Sequence, residues 1–197
     1  MSARARVTLV AALLLVAAAL APQAWAGEPA DQLSARITKV LKVLEDPQLK
    51  KTERAQERRL AVRRIATEIL DVEEISRRCL GRHWDARSAR ERQEFMQVFG
   101  ELLERAYIAR LESYSDEKIA VLGDAVEGDR AIVRTKVVTR RGAEIPVDYR
   151  MLRRGKSWRA YDVVLGGFSL VDSYRAQFDK VIERTSYRQL VQQVREK

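Results

Sequence analysis

The chain has 197 residues, with 37 Lys and Arg against 28 Asp and Glu, one cysteine and one histidine. A single cysteine excludes an intramolecular disulfide, and one histidine with one cysteine argues against a zinc site. The basic excess serves solubility first; in an exported chain the anionic surfaces it meets are lipid, so nucleic acid is not expected as a partner.

Arg4 and Arg6 precede the apolar run VTLVAALLLVAAALA, and Ala24-Trp25-Ala26 has the small-x-small form of a processing site. Residues 1–26 therefore read as a cleaved signal peptide, with the mature chain starting near Gly27. The run is shorter than the roughly 18 to 20 residues a membrane span needs. Residues 27–197 then suit a single domain with one substantial core.

Leu33, Ile37, Val40, Leu41 and Leu44 recur at helical spacing and the pattern stops at Pro47. A second helix is expected over Thr52 to Leu70, with Ala55, Val62, Ile65, Ala66 and Ile69 on its apolar stripe. Its other face carries Arg54, Arg58, Arg59, Arg63 and Arg64. That face suits docking to an acidic partner, although solvation explains it more simply.

Asp71 followed by Glu74 has the spacing of a capping box and predicts a short helix ending at Gly81. Ser88 and Glu91 repeat the signal before the longest helix, expected from Ala89 to Ser113. It carries two apolar seams: Phe95, Phe99, Leu102, Ala106 and Ala109 on one, Met96, Leu103, Tyr107 and Tyr114 on the other. A helix apolar on two sides must be covered on two sides.

After Ser115 the period becomes alternating, and turn signals at Gly128, Gly142 and Gly155 divide four strands near 117–127, 130–140, 143–153 and 157–165. Short links favour an antiparallel meander. On the third strand Ile145, Val147, Tyr149 and Met151 share a face. Pro146 implies an edge or an irregularity, because it cannot donate to a ladder. On the fourth, alternation places Tyr161 and Val163 opposite Trp158 and Val164. Ser169 and Asp172 then open a helix to about Arg184, and a shorter one follows through Leu190 and Val194. The expected class is α+β, with helices packed on a twisted four-stranded antiparallel meander.

Candidate chemistry is sparse. His83 is the only imidazole, and Gly81 separates it from Cys79, so a buried cysteine near a surface histidine is preferred to a dyad. Gly166-Gly167 before a helix lacks the lysine and spacing of a phosphate loop, so its glycines are expected to serve backbone geometry. Asp162 in an apolar strand allows a small cavity enzyme, with Asp162 as general base and Tyr161 or Tyr149 as proton donor. A structural carboxylate, accepting from backbone or an arginine, is the preferred reading. A cargo-free envelope adaptor using the Arg54 to Arg64 face is the third alternative.

The segments DVEEISRRCLGRHW, ERQEFMQVFGELLERAY, PVDYRML and WRAYDVVLGGFSLVDSYRAQFDKVI resemble the MlaC or toluene-tolerance family of periplasmic phospholipid-binding proteins. The resemblance implies a non-enzymatic carrier whose helices and sheet enclose an apolar lipid cavity. No cofactor is implied beyond bound phospholipid cargo. It also implies periplasmic transport, as a monomer, between an inner-membrane ABC transporter with an MCE-domain ring and an outer-membrane lipoprotein–porin complex, maintaining outer-membrane lipid asymmetry. Gly166 stands where family members usually carry an acid, and Phe168 replaces a typical valine, so cargo stays open between phospholipid and a hopanoid-related lipid. The expected lipid-lining set is Phe99, Leu103 and Tyr107 from the long helix, Val133 and Val137, Val147, Tyr149 and Met151, and Tyr161 and Val163 from the strands. Phe168 and Phe178 are expected to close the opposite side.

Overall fold

We describe residues 27–108 and 117–196 of a computed structural model of the chain. Helix α1 (Glu28–Glu45) has proline in its first turn and Glu28 and Asp31 near its N-terminus, all favourable where N–H groups lack intrahelical partners. The Asp124 carboxylate accepts from Gly27 N at 3.1 Å and Ala30 N at 3.0 Å, a long-range substitute for a local cap. A Cβ on Gly27 would lie 2.8 Å from both carboxylate oxygens, so glycine permits this approach.

A short 3-10 turn (Thr52–Arg54) leads into α2 (Ala55–Ile69), of which only Val62 is fully buried. The chain leaves the helix at Leu70, which forms a parallel bridge with Ala160, and Asp71 N donates to Ala160 O at 2.9 Å. Asp71 then caps α3 (Val72–Leu80), accepting from Glu74 N at 3.1 Å and from Arg154 Nε at 2.6 Å. Glu74 does not return to the cap; it binds Arg77 and Arg78. Ser88 and Glu91 form a full capping box ahead of α4 (Ala89–Leu103). That helix runs to Leu103 and passes into a π-helical turn, Glu104–Ile108. Ala109, Ser113 and Tyr114 of the expected helix lie outside the described residues.

The strands are β1 (Lys118–Glu127), β2 (Arg130–Val138), β3 (Glu144–Arg154), β4 (Ser157–Leu165) and β5 (Phe168–Ser169). They form one antiparallel sheet in chain order. The fifth strand, beyond the four expected, follows from Gly166 and Gly167 at φ 56° and 88°, which fold the chain back on β4. Pro146 lies in the central strand, not at an edge. Its carbonyl accepts from Gly166 N at 3.0 Å, just past the last β3–β4 pair, Val147 with Leu165. Its nitrogen points the same way as its carbonyl, toward the place where that ladder has run out, so the missing donor is tolerated. Ser169 caps α5 (Leu170–Arg184) through Asp172 N at 3.0 Å, and α6 (Tyr187–Glu196) follows.

The interior is divided. Buried residues of α3, α4, α5 and α6 form a helix-only cluster, and Ala30, Leu33 and Ile37 of α1 pack with Ala131, Val133, Met151, Trp158 and Ala160 in a second. Leu70 packs against both. The two-sided α4 is covered chiefly by other helices.

Candidate functional site

Directly opposed residues of an antiparallel pair share a face. Val133 opposes Tyr149, Val137 opposes Ile145, Tyr149 opposes Val163, and Val147 opposes Leu165. Leu165 in turn opposes Phe168. These residues, with Met151, therefore line one face of the sheet. The buried Thr135 on this face spends its hydroxyl on Val147 O at 2.8 Å.

Val163 reaches that face through a bulge. Arg150 opposes Asp162, but Met151 opposes Ala160, so Tyr161 has no partner on β3 and the register slips by one. A one-residue slip reverses every side chain beyond it. The expected grouping of Tyr161 with Val163, opposite Trp158, is thereby overturned: Val163 continues the Trp158–Ala160 face. The Tyr161 ring lies under the Arg78 guanidinium, 4.0 Å from its centroid. That placement is a cation–π contact.

Exposure on this face is greatest at the end near the turns at Gly142 and Gly166, although Val147, between Tyr149 and Ile145, is only 5% exposed. Met151 and Ala160 are fully buried under α1, Tyr149 and Val163 are half-buried, and Ile145, Leu165 and Phe168 are 37%, 54% and 78% exposed. Phe168 thus does not close the interior opposite α4, because the glycine turn carries it outward beyond the end of β4. Leu165 and Ile145 were not among the expected lining residues; the apolar stretch VVLGGF was the available signal. Burial pushes the Tyr149 phenol above its usual range.

On the helical side, Phe99 and Phe178 are buried against their own kind. Phe99 lies 5.4 Å from Phe95, 5.0 Å from Tyr174 and 5.2 Å from Phe178 by ring centroids. Leu103 is buried in the same cluster, and Tyr107, on the π turn, is 41% exposed. A polar hollow of about 290 Å³ between α2 and the end of α4 is lined by Arg59, Glu101, Glu104 and Arg105. Part of the basic α2 face is spent locally, with Arg63 on Glu104 at 3.1 Å and Arg54 on Glu57 at 2.6 Å.

Asp162 is a structural carboxylate. It is 3% exposed, and Oδ2 accepts from Arg150 Nη1 at 3.1 Å and Ser169 Oγ at 2.7 Å, while Oδ1 accepts from Val171 N at 3.0 Å. These bonds tie β3, β4, β5 and the start of α5 together. Tyr149, adjacent to Arg150 in sequence, points to the opposite face, so the two cannot act on one substrate atom. His83 Nε2 contacts Asp179 Oδ1 at 2.7 Å, and the Cys79 thiol is directed to Val171 O at 3.9 Å. No dyad forms between them.

Burial, with Asp162 nearby, pushes the Cys79 thiol up from 9.0 to about 12. Native protein at pH 8 is expected to resist iodoacetamide, while denatured protein alkylates fully; rapid native alkylation would contradict this burial. The folded state holds the thiol neutral. Its contribution to stability is therefore whole below 9.0 and is lost as pH rises toward about 12.

Among the described residues the sheet thus carries an apolar face that becomes exposed at one end, with the neighbouring acids Asp162 and Asp71 engaged by arginines and backbone. Residues 34–196 match the family model described as MlaC protein, and the chain belongs to that family. It is 29% identical over 119 residues to the intermembrane phospholipid transport system binding protein MlaC of Haemophilus influenzae, covering 58% of this chain and 56% of that protein. It is also 29% identical over 126 residues to the toluene tolerance protein ttg2D of Pseudomonas putida, covering 63% and 59%. The match thus spans less than two thirds of either relative. The fold matches a solved phospholipid-binding protein from Ralstonia solanacearum, in complex with a phospholipid, with a TM-score of 0.75 and 23% identity over 86% of this chain and 96% of that one. Among the described residues no helix is long and apolar enough to cross a membrane.

Proposed function

We propose that the protein is a non-enzymatic periplasmic lipid carrier, and that acyl chains lie along the apolar face of the sheet. The observation that carries this reading is the continuous apolar path from buried Met151 and Ala160 to exposed Ile145 and Leu165. Family membership and the lipid-binding names of the relatives support it. Val137, Val147, Tyr149 and Val163 contact the tails, while Leu103 and Tyr107 belong to the helical side, Tyr107 hydrogen-bonded to Tyr174. Val133 and Met151 form the floor. Phe99 and Phe178 back the helical wall, Tyr161 stiffens β4 from outside, and Phe168 stands at the mouth.

About thirty acyl methylenes at ~0.8 kcal/mol each would cost roughly 25 kcal/mol to expose to water, so a carrier must cover them. It must also release them to the next membrane complex. An inner-membrane ABC transporter with an MCE-domain ring and an outer-membrane lipoprotein–porin complex fit those ends of the route, with the carrier acting as a monomer to preserve lipid asymmetry. Removal of residues 1–26 would place the new amine of Gly27 3.1 Å from Asp124, converting a neutral cap contact into an ion pair.

Protein purified without detergent is expected to yield extractable phospholipid at a fixed ratio. Val163→Trp, which fills the path while leaving the helix cluster intact, is expected to remove most of that lipid with the fold retained by circular dichroism. Lipid-free wild-type protein from native envelopes, or a fully loaded and folded Val163→Trp variant, would rule out this path.

A further inference from the structure

We propose that Asp124 is the receptor for the amino terminus that processing creates at Gly27, and that the resulting ion pair locks α1 over the floor of the lipid face only in the mature chain. The inference rests on the expected cleavage after Ala26 and on the carrier reading, to which it adds a maturation step.

The start of α1 is built around a carboxylate from elsewhere. Gly27 has no capping side chain, its carbonyl accepts from Asp31 N at 3.0 Å, and the proline in the first turn has no N–H to satisfy. The cap comes from β1, 97 positions along the chain: Asp124 Oδ1 accepts from Gly27 N at 3.1 Å and Oδ2 from Ala30 N at 3.0 Å. Both oxygens lie 2.8 Å from where a Cβ on Gly27 would stand, so any other residue there would push the carboxylate away. Asp124 opposes Val133, against which Ala30 and Leu33 pack in the same buried cluster as Met151 and Ala160. The cap and the apolar contacts therefore hold the same end of the helix, and the cap also ties it to β1, which pairs with β2 alone in the sheet.

While residues 1–26 are attached, Gly27 N is a neutral amide with one N–H. Hydrolysis of the Ala26–Gly27 bond adds one water across it: the acyl group leaves as the carboxylate of Ala26, and the nitrogen becomes a protonated amine with three N–H groups. The same contact then joins opposite charges. A cation at a helix N-terminus opposes the macrodipole, so without a counter-charge it would weaken α1. Asp124 supplies that charge from β1, and Glu28 and Asp31 add to it from the first turn of α1. Glu28 is held by Gln32 Nε2 at 3.0 Å, which also donates to Lys156 O on the β3–β4 turn. Glu127 and Arg134, paired in register with Arg130 and Gly123, project from the opposite face of the sheet. The mature terminus thus gains an attraction the precursor lacks, and α1 is held over Met151 and Ala160 more firmly after processing than before it.

The test compares the full chain, exported and processed in a bacterial host, with one carrying Gln-Thr inserted between Ala26 and Gly27. The insertion moves the new amine two residues away and leaves Gly27 N an amide. Mass spectrometry is expected to show the unaltered chain beginning at Gly27. At pH 7 the insertion is expected to lower the thermal unfolding midpoint by about 3 °C. Asp124→Asn, which keeps an oxygen for Ala30 N, should lower it by a similar amount in the unaltered chain and by clearly less in the extended one, the sign of two changes acting on one contact. Circular dichroism verifies the fold of each variant. Attraction to Asp124 raises the amine above its ordinary range of about 7.7 to 8.0, so the gap between the two chains is whole below that range and closes as pH rises toward about 10. Equal midpoints, an Asp124→Asn effect of the same size in both chains, a gap unchanged at pH 10, or a processed chain that begins elsewhere than Gly27 overturns the proposal. Lipid extraction from the same preparations separates the two readings. Lipid-loaded protein without the gap fails only the lock, and lipid-free protein with it fails only the carrier.

Discussion

Asp162→Ala is expected to destabilise the protein by about 3 kcal/mol, chiefly by leaving the Ser169 hydroxyl and the Val171 amide without their acceptor, with a smaller loss from the 41% exposed Arg150. The variant would leave the Arg150 guanidinium, the Ser169 hydroxyl and the Val171 amide without their shared acceptor. Each loss acts on a different element, so β4, β5 and α5 would loosen together. Asp162→Asn keeps an acceptor oxygen but loses the charge, and about half of that cost is expected. Urea unfolding at pH 7 measures both. If the protein folds, the Asn variant should still carry its lipid, whereas an enzyme using this carboxylate as a base would lose its activity. An Ala variant within about 0.5 kcal/mol of wild type, the range of ordinary surface substitutions, would show that these bonds do not hold the sheet to α5.

Phe99→Ala is expected to cost about 3 to 5 kcal/mol, because the side chain is fully buried and its neighbours are large rings that collapse poorly into a cavity. Its cargo is expected to match wild type in amount and kind. The reasoning is geometric: Phe95, Tyr174 and Phe178 already surround the ring on the helical side, leaving no face for a tail. Val163→Trp should behave oppositely, sparing stability and excluding lipid. Altered lipid content in Phe99→Ala, with stability nearly unchanged, would place this ring on the cavity wall and redraw the division between the two clusters.

The features legible in the residues were local ones. Asp71, Ser88 and Ser169 announced helix starts because a cap needs only a short polar side chain and amides two or three residues on. Four strands were placed to within a few residues, because alternation and glycine turns are properties of adjacent positions. The preferred structural role of Asp162 also held, since a lone acid in an apolar strand must find donors. The outline of the candidate site was weaker. Val163 shares a face with the β2 and β3 residues it was grouped with, whereas Tyr161 is bulged out of register under Arg78 and Phe168 lies at the exposed end of the sheet rather than in the interior.

Those misses share a cause. Nothing in Trp158 to Val164 distinguishes a regular strand from one with Tyr161 bulged out; the choice depends on Arg78, Arg150 and α5 approaching from far along the chain. Likewise the two seams of α4 announce burial on two sides without saying whether sheet, helix or lipid provides it. The amino-acid sequence by itself determined most element types, their caps and the family. Tertiary structure alone decided which apolar side chains satisfy each other and which are left facing an open end, because that outcome is set by contacts between distant segments competing for the same surface.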